Sequence, residues 1–265
     1  MNRDAITRGP SPVSGMLPIL ALAGFGLVAG IGITAIGPGG VFATVGLFLL
    51  SSLSPAGVAG TAIVTHVATG ALGSLAYLRS GQLREPATRR IALLLAITAA
   101  VGTPVGVFIN FVVPGRLFGV FLAVFLLVIA VLVWFRSSRG TGTGPHPHHP
   151  AGAMVSVGLG VAVASGMFGV GGPLLTVPLL VAIGTPVLPA LAAAQVQSVV
   201  VAGVGTLGYL SRGAIDWRLS LVVGIPELCG VLIGWKVARS TPPRYLERAM
   251  IVALTAAAVI VGLHG

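Results

Sequence analysis

The stretch "AIGPGGVFATVGLF", residues 35–48, sets Gly37, Pro38, Gly39 and Gly40 inside an apolar run long enough to enter a membrane. A second stretch, "MFGVGGPLLTVPLL" at 167–180, repeats the pattern with Gly169, Gly171 and Gly172. Glycine and proline interrupt helices. A helix broken within lipid exposes backbone N–H groups that hydrocarbon cannot satisfy, so each break must face protein or a watery cavity. The half-helix that restarts there presents free donors and a partial positive charge at its N-terminus, a natural anion site. The competing use of such glycines is close helix packing, which small residues permit in membranes.

Composition supports a membrane reading. The 265 residues are 55% hydrophobic and 8% charged, with a mean hydropathy of +1.04, outside the range of water-soluble domains. The 15 Lys and Arg against 5 Asp and Glu would point to nucleic acid in a soluble protein. Here the basic residues lie in short loops between spans, where they set orientation, so no nucleic-acid partner is expected. The single cysteine, Cys229, excludes a disulfide framework. Residues 1–16 are polar and lack a convincing cleavage site after the apolar run that follows them, so they read as a mature tail and not as a signal peptide.

An internal repeat organises the chain. A shift of 132 positions (169 minus 37) lays Gly37, Gly39, Gly40, Thr44, Val45 and Leu47 on Gly169, Gly171, Gly172, Thr176, Val177 and Leu179. The same shift aligns "GSLAYLRSG" (73–81) with "GTLGYLSRG" (205–213), and a shift of 128 matches Gly102, Gly106, Pro114 and Arg116 to Gly230, Gly234, Pro242 and Arg244. Two homologous halves follow, 17–135 and 151–263, joined by a flexible linker at 136–150, "RSSRGTGTGPHPHHP".

Each half parses into five apolar segments: roughly 17–36, 40–53, 56–78, 91–110 and 115–135, then 151–168, 172–184, 187–210, 218–238 and 244–263. The second segment of each half reaches only about 20 Å as a helix, too short to cross comfortably. The expected architecture is an all-α polytopic membrane protein.

Loop charge indicates how the halves are related. Arg79, Arg84, Arg89 and Arg90 follow the third segment of the first half, where the second half has only Arg212 and Arg218. The next loop reverses the bias: Arg116 alone against Lys236, Arg239, Arg244 and Arg248. The excess swaps sides, as expected for inverted-topology repeats. Broken segments at matching positions of inverted repeats point to a secondary transporter with its site between the halves near the bilayer midplane. Gly37, Gly39, Gly40 and Thr44 with Gly169, Gly171, Gly172 and Thr176 are the first candidates for that site.

With these residues in view, "GPGGVFATVGLFLL…GTAIVTHVATGALGSLAYLRSG" and "GVGGPLLTVPLL…AAAQVQSVVVAGVGTLGYLSRGAIDW" resemble the two repeats of the sulfite exporter TauE/SafE family. The likeness covers the chain apart from the tail and linker. It implies a prokaryotic inner-membrane permease for a small sulfur-containing anion such as sulfite, thiosulfate or an organosulfonate, without specifying which.

Polar residues deep in the third segments complete the candidate site: Thr61, Thr65 and His66 in the first half, and Gln195, Gln197 and Ser198 in the second. Such side chains are costly in hydrocarbon and should face the bundle interior. Gln195 and Ser198 share a helix face, whereas Gln195 and Gln197 point nearly opposite ways, so both glutamines cannot line one small site equally. Amide donation to an anion competes with inter-helix hydrogen bonding as their role. His66 is the one histidine within a span, a donor when neutral and a counter-charge when protonated, or else a histidine merely bonded in place. Glu227, following Pro226, is the one acid in the interior of a span and the candidate for proton coupling, the alternative being a neutral acid near a helix break.

Other features carry less. His146, His148 and His149 sit in the linker without a further fixed ligand, and no metal or other cofactor is expected. Trp134, Trp217, Trp235, Tyr77 and Tyr209 lie near span ends and read as interfacial anchors. With no nucleophile elbow, HExxH or intramembrane aspartate pair, catalysis is not expected. A passive anion channel or a sensor on the same scaffold is the alternative to a transporter, and sequence leaves direction, coupling ion and oligomeric state open.

Overall fold

The computed structural model describes residues 15–35, 37–139, 151–240 and 243–264. The N-terminal tail through residue 14 and most of the linker, with His146, His148 and His149, lie outside the described residues. The described chain is helical, with no strand among its residues: α1 (Met16–Ala35), α2 (Val41–Leu50), α3 (Pro55–Arg79), α4 (Pro86–Val112) and α5 (Gly115–Arg139), then α6 (Ala151–Phe168), α7 (Pro173–Ala182), α8 (Val187–Leu210), α9 (Trp217–Ser240) and α10 (Pro243–His264). Every expected apolar segment is a helix. The widest difference is α4, which begins at Pro86 and not near 91, because proline is pre-set for a first helical turn and Arg89 and Arg90 extend that turn into the exposed loop region.

Among the described residues, six helices are long and apolar enough to cross a membrane: Met16–Ala35, Pro55–Arg79, Pro86–Val112, Gly115–Phe135, Leu188–Leu210 and Trp217–Gly234. Their surfaces invert the soluble pattern. On α4, Leu93, Ile97, Val101 and Phe108 are exposed, while Thr88, Ala92, Ala99, Gly102, Gly106 and Asn110 are buried. Lipid solvates the large apolar side chains, so small residues occupy the interior where backbones approach. This is a multi-pass membrane protein.

The helices pair mainly across the halves: α1 with α9, α4 with α6, α3 with α8, α4 with α8, α5 with α10 and α3 with α9. Exchanging the halves turns the α1–α9 pair into the α6–α4 pair and leaves α3–α8 and α5–α10 unchanged. Glycines make the two closest crossings possible. A Cβ at Gly30 would strike the Glu227 carbonyl oxygen and one at Gly230 the Leu27 carbonyl oxygen; on the other side, a Cβ at Gly106 would strike that of Val163. Polar side chains tie the same crossings. Thr34 Oγ1 donates to Val231 O at 3.0 Å, and Asn110 Nδ2 donates to Met167 O at 2.6 Å.

Two expectations near the spans are corrected. Tyr209 is not an interfacial anchor: it is 0% exposed and its hydroxyl donates to Gly166 O at 2.7 Å, because a phenol held within the bundle requires an acceptor there. Pro226 does not break its helix, since α9 continues through it to Ser240. Trp134 and Trp217 are exposed, and Cys229 lies exposed on α9.

Candidate functional site

The two broken stretches fold alike. Gly37 adopts φ +111° and Gly169 φ +70°, left-handed values that favour glycine. The N–H of Gly37 donates to Gly32 O at 3.0 Å and that of Val170 to Ser165 O at 3.1 Å, the same backward closure of the preceding helix. Pro38 then opens a 3-10 turn, Pro38–Gly40, that leads into α2, and Pro173 opens α7. Each restarted helix has ten residues, about 15 Å, roughly half the thickness of the hydrocarbon core. Both are embedded in protein: Val41 through Leu47 and Leu174 through Val177 are buried.

The starts of α2 and α7 face one tight cavity of about 10 Å³, room for about one water molecule. Gly37 and Gly40 line it from the first half, and Gly171, Pro173 and Leu174 from the second. α3 contributes His66 and Thr69, α8 contributes Gln195 and Ser198, and α1 contributes Ile33. All these residues are buried, so the cavity is occluded. Space for it depends on missing side chains. A Cβ at Gly40 would sit 2.9 Å from His66 Cε1, and one at Gly171 would sit 2.9 Å from Ser198 Oγ and 3.7 Å from His66 Cγ. The α3–α8 crossing is close for the same reason, with Gly73 lying where a Cβ would meet Gln195 Oε1 at 2.5 Å.

Two helix N-termini facing one occluded pocket add their partial positive charges there. Hydroxyl and amide groups on Thr69, Ser198 and Gln195, with the imidazole of His66, supply polar contacts from the side walls. His66 Nε2 is buried without a hydrogen-bond partner. The arrangement provides donors and diffuse positive potential with no lysine or arginine, which suits a small anion.

Of the residues singled out from sequence, Gly37, Gly40, His66, Gly171, Gln195 and Ser198 line the cavity. The others lie elsewhere for identifiable reasons. Gly39 is pressed against α1, where a Cβ would strike Ala29 O and Ile33 N, and Gly169 against the Ala59 carbonyl. Gly172 lies beneath Ser198 N and Gln197 Oε1, where a Cβ would sit 3.1 and 3.2 Å away. Thr44 Oγ1 donates to Phe168 O at 3.1 Å. Thr61 Oγ1 accepts from Asp216 N at 3.0 Å, and Thr65 Oγ1 donates to Ala62 O at 2.8 Å. Thr176 Oγ1 donates to Gln197 Oε1, and Gln197 Nε2 donates to Gly158 O at 3.3 Å, so this amide ties α8 to α7 and α6. Thr176→Val should therefore lower stability by about 1–2 kcal/mol, through a buried amide oxygen left unpaired, and change anion affinity less than twofold; thermal unfolding and a binding titration check this.

Sequence reasoning missed Ile33, Thr69, Pro173 and Leu174. Thr69 carried a readable signal, one turn beyond His66 on the same helix face. It also missed that Glu227 reaches His66, with Oε1 2.9 Å from Nδ1. Among the described residues, no three His, Cys, Asp or Glu side chains gather to hold a metal ion.

The comparisons with known proteins point to membrane transporters. The model of the family described as Sulfite exporter TauE/SafE matches residues 22–261. A Bacillus subtilis (strain 168) protein named "Probable membrane transporter protein YdhB" is 24% identical over 242 residues, covering 89% of this chain and 96% of that protein. A Sinorhizobium protein named "Probable membrane transporter protein ORF9" is 23% identical over 246 residues, covering 92% and 91%. No solved structure matches.

Proposed function

Because the chain belongs to the sulfite exporter TauE/SafE family, we propose that it is a secondary transporter that carries a small, sulfur-containing anion by alternating access through the cavity between α2 and α7. The coarser part, a membrane transporter of the TauE/SafE type, rests on the family and on the names of the relatives. The finer part rests on one observation: two half-helix N-termini converge on a pocket whose every lining residue is buried. An occluded pocket is reached only through a conformational change, whereas a passive channel needs a continuous bore.

The halves are read as inverted repeats, supported by the swap of loop charge. With Arg79 through Arg90, the linker and Lys236 through Arg248 in the cytoplasm, ten basic residues lie inside and five outside, an assignment that takes five crossings per half with α2 and α7 each completing one. The moving bodies are not the sequence halves, since α1 packs on α9 and α6 on α4. We read the protein's location as a prokaryotic inner membrane, which the bacterial source of its relatives supports. The reading gives it a transport role and no catalytic one.

Purified protein in liposomes, tested with labelled sulfite, thiosulfate, sulfate, taurine, acetate and nickel ion, should show saturable flux and counterflow for a sulfur-containing anion. Gln195→Ala should weaken that anion's binding about tenfold, or ~1.4 kcal/mol, by removing a side-wall amide. Unsaturable current without counterflow would replace the transporter with a channel. Flux of the cation alone would overturn the anion site.

A further inference from the structure

Glu227 and His66 form a buried pair that the anion site, as described, does not use. The carboxylate is 0% exposed and the imidazole 1%, with Nδ1 2.9 Å from Oε1. Neither carboxylate oxygen meets a hydrogen-bond donor in good geometry, and His66 Nε2, at the opposite edge of the ring, has no partner and lies 3.3 Å from where a Cβ on the cavity-lining Gly40 would sit. The contact is thus at ion-pair distance, with Glu227 behind the cavity wall and His66 forming part of it.

No other ionisable group among the described residues faces this pair. α1, α2, α6 and α7 contain none. The remaining ones on α3 are Tyr77 and Arg79, towards its far end, and on α8 there is Tyr209, which is bonded to Gly166. Arg84, Arg89 and Arg90 are exposed, and Glu85 accepts from Thr88. Asp216, just ahead of α9, has Oδ1 accepting from Leu219 N; on α9, Arg218 and Lys236 lie each about nine residues from Glu227, or ~13 Å along the helix, and Cys229 is exposed.

We propose that His66 and Glu227 act together as a proton-coupling device that takes up one proton for each anion entering the cavity. The proposal rests on reading the cavity as the anion site. Without a proton the pair carries one negative charge just behind the pocket, and that charge repels an incoming anion. With one proton the pair is neutral, either as a carboxyl beside a neutral imidazole or as an imidazolium beside a carboxylate. In the second arrangement Nε2–H becomes a charge-assisted donor directed at the cavity. The anion therefore binds the protonated pair, and by reciprocity the proton binds more tightly when the anion is present. The proton enters from the aqueous phase to which the cavity is open and leaves on the other side with the anion. A monovalent anion then crosses without net charge.

The test uses the full-length protein with methanesulfonate and thiosulfate, which do not titrate between about pH 6 and 8. Binding should take up about one proton per anion, read with a pH dye in weak buffer, and Kd should rise about tenfold per pH unit wherever the unbound pair is deprotonated. Glu227→Gln should bind with a Kd that no longer moves with pH and should take up no proton. Should that variant fail to fold, His66→Asn is expected to lose the pH dependence along with part of the affinity. Binding by the wild type with no proton uptake and a flat Kd overturns the coupling and leaves the anion site standing, and unchanged uptake in Glu227→Gln also overturns it. No binding of either probe at any pH overturns the anion-site reading and the coupling with it.

Discussion

Gly106→Leu and Gly230→Leu should each reduce the yield of folded, monodisperse protein to less than about a tenth of wild type, by fluorescence size exclusion after mild solubilisation. The reason is backbone contact. A Cβ at Gly106 would run into the Val163 carbonyl oxygen and lie 2.8 Å from Met167 N; one at Gly230 would run into the Leu27 carbonyl oxygen and lie 3.0 Å from Ile31 N. A rotamer change cannot relieve a collision with backbone, so the helices must separate. Overpacking of that kind costs on the order of 3 kcal/mol or more, against a total stability of about 5–15 kcal/mol. Separation would also break the polar ties at the same crossings, Asn110 to Met167 and Thr34 to Val231. Gly160→Ala is the control: nothing lies within 4 Å of its Cβ position, and its effect should stay within about 0.5 kcal/mol. Normal yield from both leucine variants would mean that these crossings are looser than described.

Gly171→Leu should abolish measurable anion binding, a loss of at least about 100-fold or ~2.7 kcal/mol, while the protein remains folded. Its Cβ would meet the movable Ser198 hydroxyl at 2.9 Å, with Pro173 Cδ and His66 Cγ at 3.6 and 3.7 Å, so the rest of the side chain grows into the cavity. Gly39→Leu, at the matching repeat position, should instead lose the fold, because its Cβ would strike the backbone of α1 at Ala29 and Ile33. Thermal unfolding and anion titration together separate the two outcomes. Normal affinity in folded Gly171→Leu would remove the anion from this cavity.

The contrast between Gly39 and Gly171 shows where sequence stops being sufficient. The repeat makes them equivalent, yet one supports packing and the other lines the pocket. Thr44 and Thr176 part in the same way, one bonded to the Phe168 carbonyl and the other to the Gln197 amide. Helical periodicity correctly separated Gln195 from Gln197, since residues two apart on a helix cannot share a face, and only Gln195 lines the cavity. Which of the two would face inward depended on where α6 and α7 lie, and periodicity carries no such information.

By itself, the sequence determined the membrane environment, the ten apolar segments, the two interruptions and their matching positions. Those follow from local hydropathy and backbone chemistry, which act over a turn or two of chain. Only the tertiary structure decided that α1 pairs with α9 and α4 with α6, that the starts of α2 and α7 share one pocket, and that Glu227 reaches His66. Lipid makes almost any apolar face acceptable as an exterior, so hydropathy does not select helix partners. The choice falls to backbone approach at glycines such as Gly30, Gly106 and Gly230, and to the few polar groups that must find each other inside.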